Sequence, residues 1–232
     1  MAVVLLSGGL DSALNLALSV IDAHEPTLAL TMRYGQKAGA QELKAARALA
    51  SHYGSEWREV DLGWLGSIHA TSLTRSDQAV PEPSVQQLDD AAFCSRSAKA
   101  VWVANRNGLF LNVAASFAEA LGHRRILAGF NREEAVTFPD NSEAFLEALN
   151  RGFSFSTLNG VVAESLTAGM DKREIIASAL RIGLPLEKVW SCYGSGPTRC
   201  WRCESCRRTE RALLAHGESG ETALERIREA VL

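Results

Sequence analysis

Residues 1–18 read MAVVLLSGGLDSALNLAL. A short apolar run, Val3-Val4-Leu5-Leu6, precedes the turn Ser7-Gly8-Gly9-Leu10-Asp11-Ser12, and a longer apolar stretch follows it. The first run has the pattern of a strand buried on both faces. Residues 12–21 are apolar almost all round, which predicts a helix packed in the interior. Two adjacent glycines let the backbone take positive φ and bring N–H groups close to an anion. Ser7 and Ser12 add hydroxyls, and the helix behind them aims its positive dipole end at the same spot. Asp11 would repel a phosphate unless it caps the helix or faces a metal ion. No lysine follows, so this is not a Walker loop. The glycines are adjacent and no third follows, so it is not a dinucleotide-binding fingerprint either.

Beyond the turn, strands and helices alternate. Thr27–Met32 and Trp57–Asp61 read as strands on either side of an amphipathic helix, Lys37–His52, with Leu43, Ala46, Leu49 and Ala50 on one face. Residues 63–99, with Pro81 and Pro83 among polar residues, lack periodicity and are expected to be a surface insertion or a lid. Order returns with a helix at Asn107–Leu121 and a strand at Arg125–Gly129. An acidic loop, a helix at Glu143–Phe153, a strand at Val161–Ser165 and a helix at Asp171–Ile182 follow. This alternation predicts an α/β fold with a doubly wound, mainly parallel sheet. Ligands then bind at the carboxyl ends of the strands, where the Ser7–Ser12 turn lies. Residues 1–185 are expected to form this unit, with residues 186–232 packed on it as a small metal-binding segment.

At 232 residues, 47% hydrophobic, the chain is long enough for a substantial core. Its net charge of −3 gives no electrostatic case for nucleic acid or membrane partners. No apolar stretch is long enough to cross a bilayer, and no Lys or Arg precedes Arg33 to form the charged start of a signal peptide. The cytosol is the expected compartment, where the five cysteines read as metal ligands or core thiols. Cys192, Cys200, Cys203 and Cys206 give Cys-x7-Cys-x2-Cys-x2-Cys, a set suited to one tetrahedral zinc ion. Four sulfurs leave no open position, so that zinc would be structural. A [4Fe–4S] cluster is the competing occupant. Cys94 stands apart and is read as a small apolar residue. Arg202, Arg207, Arg208 and Arg211 suggest a nucleic-acid-binding ribbon, but Glu204 and Glu210 offset them, and surface or dimer-contact arginines are the alternative.

The Ser7–Ser12 turn between strand and helix resembles the pyrophosphate-binding loop of the N-type ATP pyrophosphatases. Joined to the cysteine set, it resembles the 7-cyano-7-deazaguanine synthase family over essentially the whole chain. Tyr34-Gly35-Gln36, Asn105 to Leu111, Gly129-Phe130-Asn131, Phe138-Pro139-Asp140, Asp171 to Glu174 and Ser191 to Gly194 extend the likeness. Many members read Tyr-Pro-Asp-Cys-Arg where this chain has Phe138-Pro139-Asp140-Asn141-Ser142, so the Cys-Arg contribution does not carry over. Trp201 stands where glycine is common, and Val103-Ala104-Asn105 stands where members often carry proline before the Arg-Asn pair.

The resemblance implies conversion of 7-carboxy-7-deazaguanine and ammonia to the nitrile with two ATP, by adenylation of a carboxylate and then of an amide. Leu6, Ser7, Gly8, Gly9, Leu10, Asp11, Ser12, Ala13, Leu14, Asn15 and Leu16 would form the ATP-binding stretch, with Asp11 near Mg²⁺. Asp11, Ser12, Arg106 and Lys172 are the candidate catalytic groups, the two cations facing phosphate. Tyr34, Gln36, Asn107, Phe130, Asn131, Glu134, Phe138 and Asp140 are candidate substrate contacts, while Glu133 is expected in solvent. Small-molecule substrates, no nucleic acid, no membrane and a homodimer are the implied partners. The rivals are a tRNA-thiolating or amide-forming pyrophosphatase and a zinc-stabilised nucleic-acid-binding module.

Overall fold

The computed structural model describes residues 1–21, 24 and 27–230; the last two residues of the 186–232 segment lie outside them. Its centre is β1 (Ala2–Leu5), flanked by β2 (Thr27–Arg33) and β4 (Arg125–Leu127), with β3 (Glu56–Asp61) and β5 (Val162–Glu164) at the edges. All pairings are parallel, with Ala2 opposite Thr27 on one side and Arg125 on the other. The chain moves outward from β1 to β2 and β3, then returns to β4 on the far side. The crevice between β1 and β4 is therefore the switch point at which such sheets hold ligands.

Successive side chains of β1 feed two cores. Ala2, Val4 and Leu6 pack with α1 (Leu10–Ile21), α2 (Gly39–His52) and α8 (Lys172–Arg181). Val3, Leu28, Leu30 and Met32 pack on the other face with α5 (Arg106–Ala120) and α7 (Glu143–Ser156). Strand residues alternate between faces, so a continuous apolar strand demands a helix layer on each, and the predicted doubly wound sheet is what forms. Edge strand β3 is instead lined with charge, its Glu59 and Asp61 bonded to Arg33 at 2.7 and 2.6 Å.

Two predicted features change. Residues 63–99 are not irregular throughout: they hold α3 (Gly63–Ile68), a 3-10 turn at Gln86–Asp89 and α4 (Ala91–Val101). Asp90 caps α4 by accepting from Phe93 N at 2.7 Å. The helix was hidden because its buried face is Ser97, Ala98 and Val101, too polar and small to register as an apolar stripe. The acidic loop likewise contains a short helix, α6 (Arg132–Thr137), capped by Asn131. β4 ends at Leu127, short of the predicted Gly129. A Cβ at Gly129 would lie 2.5 Å from Ser12 N, so the chain there passes too close to α1 for any side chain.

The C-terminal segment shares the main core. Ala212 and Leu213 of α9 (Glu204–Leu214) and Ala223, Leu224 and Ile227 of α10 (Gly217–Glu229) join the Val4 cluster. Trp190 donates its backbone N–H to Gly8 O at 2.7 Å, tying this segment to the first turn. Among the described residues no helix is long and apolar enough to cross a membrane.

Candidate active site

The turn after β1 is held by its own hydroxyls. Ser12 Oγ accepts from Ser7 N at 3.2 Å and donates to Gly9 O at 3.0 Å, while Ser7 Oγ accepts from Gly9 N at 3.2 Å. Gly8 has φ +82°, and a Cβ there would stand 2.8 Å from Glu42 O and 2.9 Å from the Ala45 methyl. Glycine is thus required both by conformation and by the approach of α2. Leu6, Ser7, Gly9, Leu10, Asp11 and Ser12 border a cavity of about 280 Å³ at the switch point. Ala13, Leu14, Asn15 and Leu16, expected as part of the nucleotide stretch, are fully buried and do not border it. They lie on helix positions turned into the core. Asn15 is consumed there, donating to Thr167 Oγ1 at 2.9 Å and accepting from Leu166 N at 2.9 Å.

Asp11 does not cap its helix; its carboxylate meets Lys172 from α8, whose Nζ lies 2.9 and 2.8 Å from the two oxygens. Glu134 Oε1 stands 3.6 Å from the same Nζ. Lys172 is buried at 9% exposure, not the surface lysine its place at a helix start would suggest. Burial works against its charge, but Asp11 and Glu134 more than offset this and hold the ammonium above its ordinary pKa. Asp171 fixes the start of α8 through a capping box with Glu174. The cation is thereby placed by backbone geometry.

Arg106 is positioned by Asn105, which takes the left-handed conformation (φ 55°) just before α5; asparagine tolerates this better than most residues. Its guanidinium lies 5.7 Å over the Tyr34 ring and 3.3 Å from Tyr34 Oη. Tyr34, Gln36, Asn107, Phe130, Glu134, Phe138 and Asp140 all border the cavity, whereas Asn131 does not. Asn131 is fully buried: it accepts from Glu134 N at 2.9 Å and donates to Asp11 Oδ2 at 3.4 Å. Gln36 borders the cavity with its amide already committed, to Tyr34 N, Met32 O and Glu42 Oε2 at 2.8, 3.1 and 2.7 Å. Both therefore act on neighbours.

Several wall residues escaped the sequence. Glu133, expected in solvent, accepts from Lys172 N at 3.0 Å and lies 3.6 Å from Arg208. Glu42, Trp102, Tyr193, Glu204 and Arg208 also border the cavity. Enclosure pushes the Glu42 carboxyl above its ordinary pKa, against the Gln36 amide and Arg106. It likewise raises the Tyr193 hydroxyl well above its ordinary value, helped by Glu134 and Glu204. Tyr193 belongs to the Ser191–Gly194 stretch of the resemblance, and Glu204 and Arg208 to the arginine cluster, whereas Trp102 and Glu42 carried no local signal.

The four sulfurs of Cys192, Cys200, Cys203 and Cys206 lie within 4.8 Å of one another. Zinc–sulfur bonds near 2.3 Å place tetrahedral sulfurs about 3.8 Å apart, so this group fits one such ion with little movement. Backbone N–H groups already point at the sulfurs: Gly194 and Cys200 at Cys192 Sγ (3.3 and 3.4 Å), Cys203 at Cys200 Sγ (3.2 Å). Such donors stabilise thiolates and orient ligands. Trp201, in the glycine position, has φ 55° and carries Arg228 over its ring at 5.3 Å. Cys94 is apart from the group, with Arg208 Nη2 at 3.4 Å. The arginines are paired: Arg202 with Glu82, Arg207 with Glu210, Arg208 with Glu204 and Arg211 with Asp89.

A family model described as queuosine biosynthesis protein QueC matches residues 1–217. The 7-cyano-7-deazaguanine synthase of Desulforudis audaxviator is 51% identical, over 93% of this chain and 97% of that one. The one from Methanosarcina mazei is 46% identical, over 97% and 98%. Among solved structures, the U34-tRNA thiolase NcsA from Methanococcus maripaludis with its [4Fe-4S] cluster is similar in fold. Its TM-score is 0.51 at 17% identity, covering 100% of this chain and 72% of that one.

Proposed function

The chain belongs to the family of queuosine biosynthesis protein QueC, and on that premise we propose that it is a 7-cyano-7-deazaguanine synthase. It takes 7-carboxy-7-deazaguanine, ammonia and two ATP to the nitrile. A carboxylate is a poor electrophile because oxide cannot leave. One carboxylate oxygen therefore attacks the α-phosphorus of ATP, the α–β bond breaks and pyrophosphate departs. Ammonia attacks the acyl carbon, AMP leaves with the bonding pair, and the nitrogen loses a proton, giving the amide. The amide oxygen attacks a second ATP in the same way, the nitrogen giving up one proton to form the O-adenylated imidate, and loss of AMP and the second N–H proton leaves the C≡N bond.

The protein's part is placement and charge. The N–H groups of the Ser7–Ser12 turn and the start of α1 receive the departing pyrophosphate. Lys172, held by Asp11 and Glu134 at 2.8 and 3.6 Å, is the cation beside that turn. Arg106 offers a second cation from the opposite wall. Asp11 and Glu134 present the hard oxygen donors that suit Mg²⁺, which, when bound with ATP, would neutralise phosphate charge. The four cysteines suit a structural zinc that shapes the wall and takes no step.

The observation that carries this reading is the buried Lys172–Asp11 pair at the mouth of a lysine-free anion turn, in a chain 51% identical to a synthase. The test supplies the carboxylated base, ammonium, ATP and Mg²⁺ and follows AMP and nitrile by mass spectrometry. AMP and nitrile that depend on the base support it; no AMP above background defeats it.

A further inference from the structure

Trp102 ends α4, and Phe138 lies between α6 and the 3-10 turn at Pro139–Asn141. Their rings face each other with centroids 6.1 Å apart and planes only 7° from parallel. Both border the cavity, and Trp102 keeps 36% of its surface exposed. Two residues beyond Phe138, Asp140 Oδ1 is buried and has no hydrogen-bond partner among the described residues. A buried acceptor without a donor is costly, so a ligand bringing an N–H there gains what the free protein lacks.

We propose that Trp102 and Phe138 are the two jaws of a clamp for the planar bicyclic base, and that Asp140 Oδ1 accepts from its N–H edge. The proposal rests on the synthase reading and assigns its specificity. A flat ring stacked between the two would sit about 3.5 Å from each, needing planes about 7 Å apart. The observed 6.1 Å centroid spacing means the jaws part by at least about 1 Å as the base enters. Beside the Ser7–Ser12 turn the wall is charged, with Asp11, Glu133, Glu134 and Lys172 bordering the cavity, and suits phosphates; the aromatic pair Tyr34 and Phe110, which also borders it, is tilted by 56° and offers no parallel jaws. A guanine-type edge presents adjacent N1–H and 2-amino donors, and a carboxylate is the side chain that offers acceptors only. Adenine presents one donor and one acceptor and pairs with that group less well.

The test is equilibrium binding of 7-carboxy-7-deazaguanine, and separately of ATP, to the zinc-loaded full chain. The variants are Trp102→Ala, Trp102→Phe and Asp140→Asn. Base stacking contributes about 1–3 kcal/mol per base, so Trp102→Ala is expected to weaken base binding roughly 5- to 150-fold. ATP affinity stays within about twofold, which shows that the variant is folded. Trp102→Phe, keeping a flat face, recovers most of the loss. An analogue lacking the 2-amino group binds wild type more weakly than the parent base, and Asp140→Asn removes that discrimination. Unchanged base affinity in Trp102→Ala overturns the clamp while base-dependent AMP formation by wild type leaves the synthase reading intact. Loss of ATP affinity with base affinity kept also overturns it, because the platform then carries adenine. A wild-type protein that binds no base and forms no AMP overturns both.

Discussion

Lys172 shows how much one buried side chain can settle. Its 9% exposure is tolerable because two carboxylates face it, and removing one partner leaves an uncompensated charge. Asp11→Asn and Lys172→Ala are each expected to lower base-dependent AMP formation by about 100-fold or more, the scale of losing one electrostatic contact to the transition state. Pyrophosphate release under single-turnover conditions checks this, with circular dichroism confirming the fold. Glu42 makes the opposite case. Its pKa is raised above the ordinary 4.5 by enclosure, so the folded chain holds that proton more tightly than the unfolded one. Its contribution to stability is therefore full below pH 4.5 and is lost as pH rises through the folded value. Glu42→Gln should melt a few degrees above wild type at neutral pH, about what 1 kcal/mol moves a chain of this size. Melts between pH 4 and 8 should show that gap closing in acid.

Among the elements, α4 is the one whose function depends on staying in place. Ser97 bonds Glu204, and Cys94 lies 3.4 Å from Arg208, so α9 braces it; Asp90 caps its start. Asp90→Ala should cost about 1 kcal/mol of local stability, read as faster amide exchange over residues 91–101, and should raise KM for the base more than for ATP. This helix also marks where the sequence stops being legible. The Ser7–Ser12 turn and the cysteine set carry their meaning in local spacing, and the βα alternation carries the sheet. Trp102, Glu42 and Glu133 acquire theirs from neighbours dozens of residues away. Asn131 differs in another way. Its position at the sheet's carboxyl edge predicts ligand contact, but a short polar side chain competes for nearby backbone groups, and here it accepts from Glu134 N and donates to Asp11 without bordering the cavity.

At the scale of the molecule, the four-cysteine group and the Ser7–Ser12 turn are one structure. The segment that carries the cysteines also supplies Tyr193, Glu204 and Arg208 to the cavity wall and the Trp190 bond to Gly8. Chelating the metal should therefore lower the melting temperature and abolish ATP binding together, with zinc restoring both. Scanning calorimetry and ATP titration on stripped and reloaded protein check this; ATP affinity that survives stripping would sink the coupling. The same bond sets a timetable for synthesis. Gly8 leaves the ribosome about 180 residues before the tryptophan that completes its turn, and at about 5–20 residues per second that is roughly 10–40 s. For about the first two-thirds of that interval the most apolar strand of the protein, destined for the middle of the sheet, has β2 to pair with but not β4, and throughout it the C-terminal helices are missing. The nascent chain, rather than the finished enzyme, is the form that calls for a chaperone.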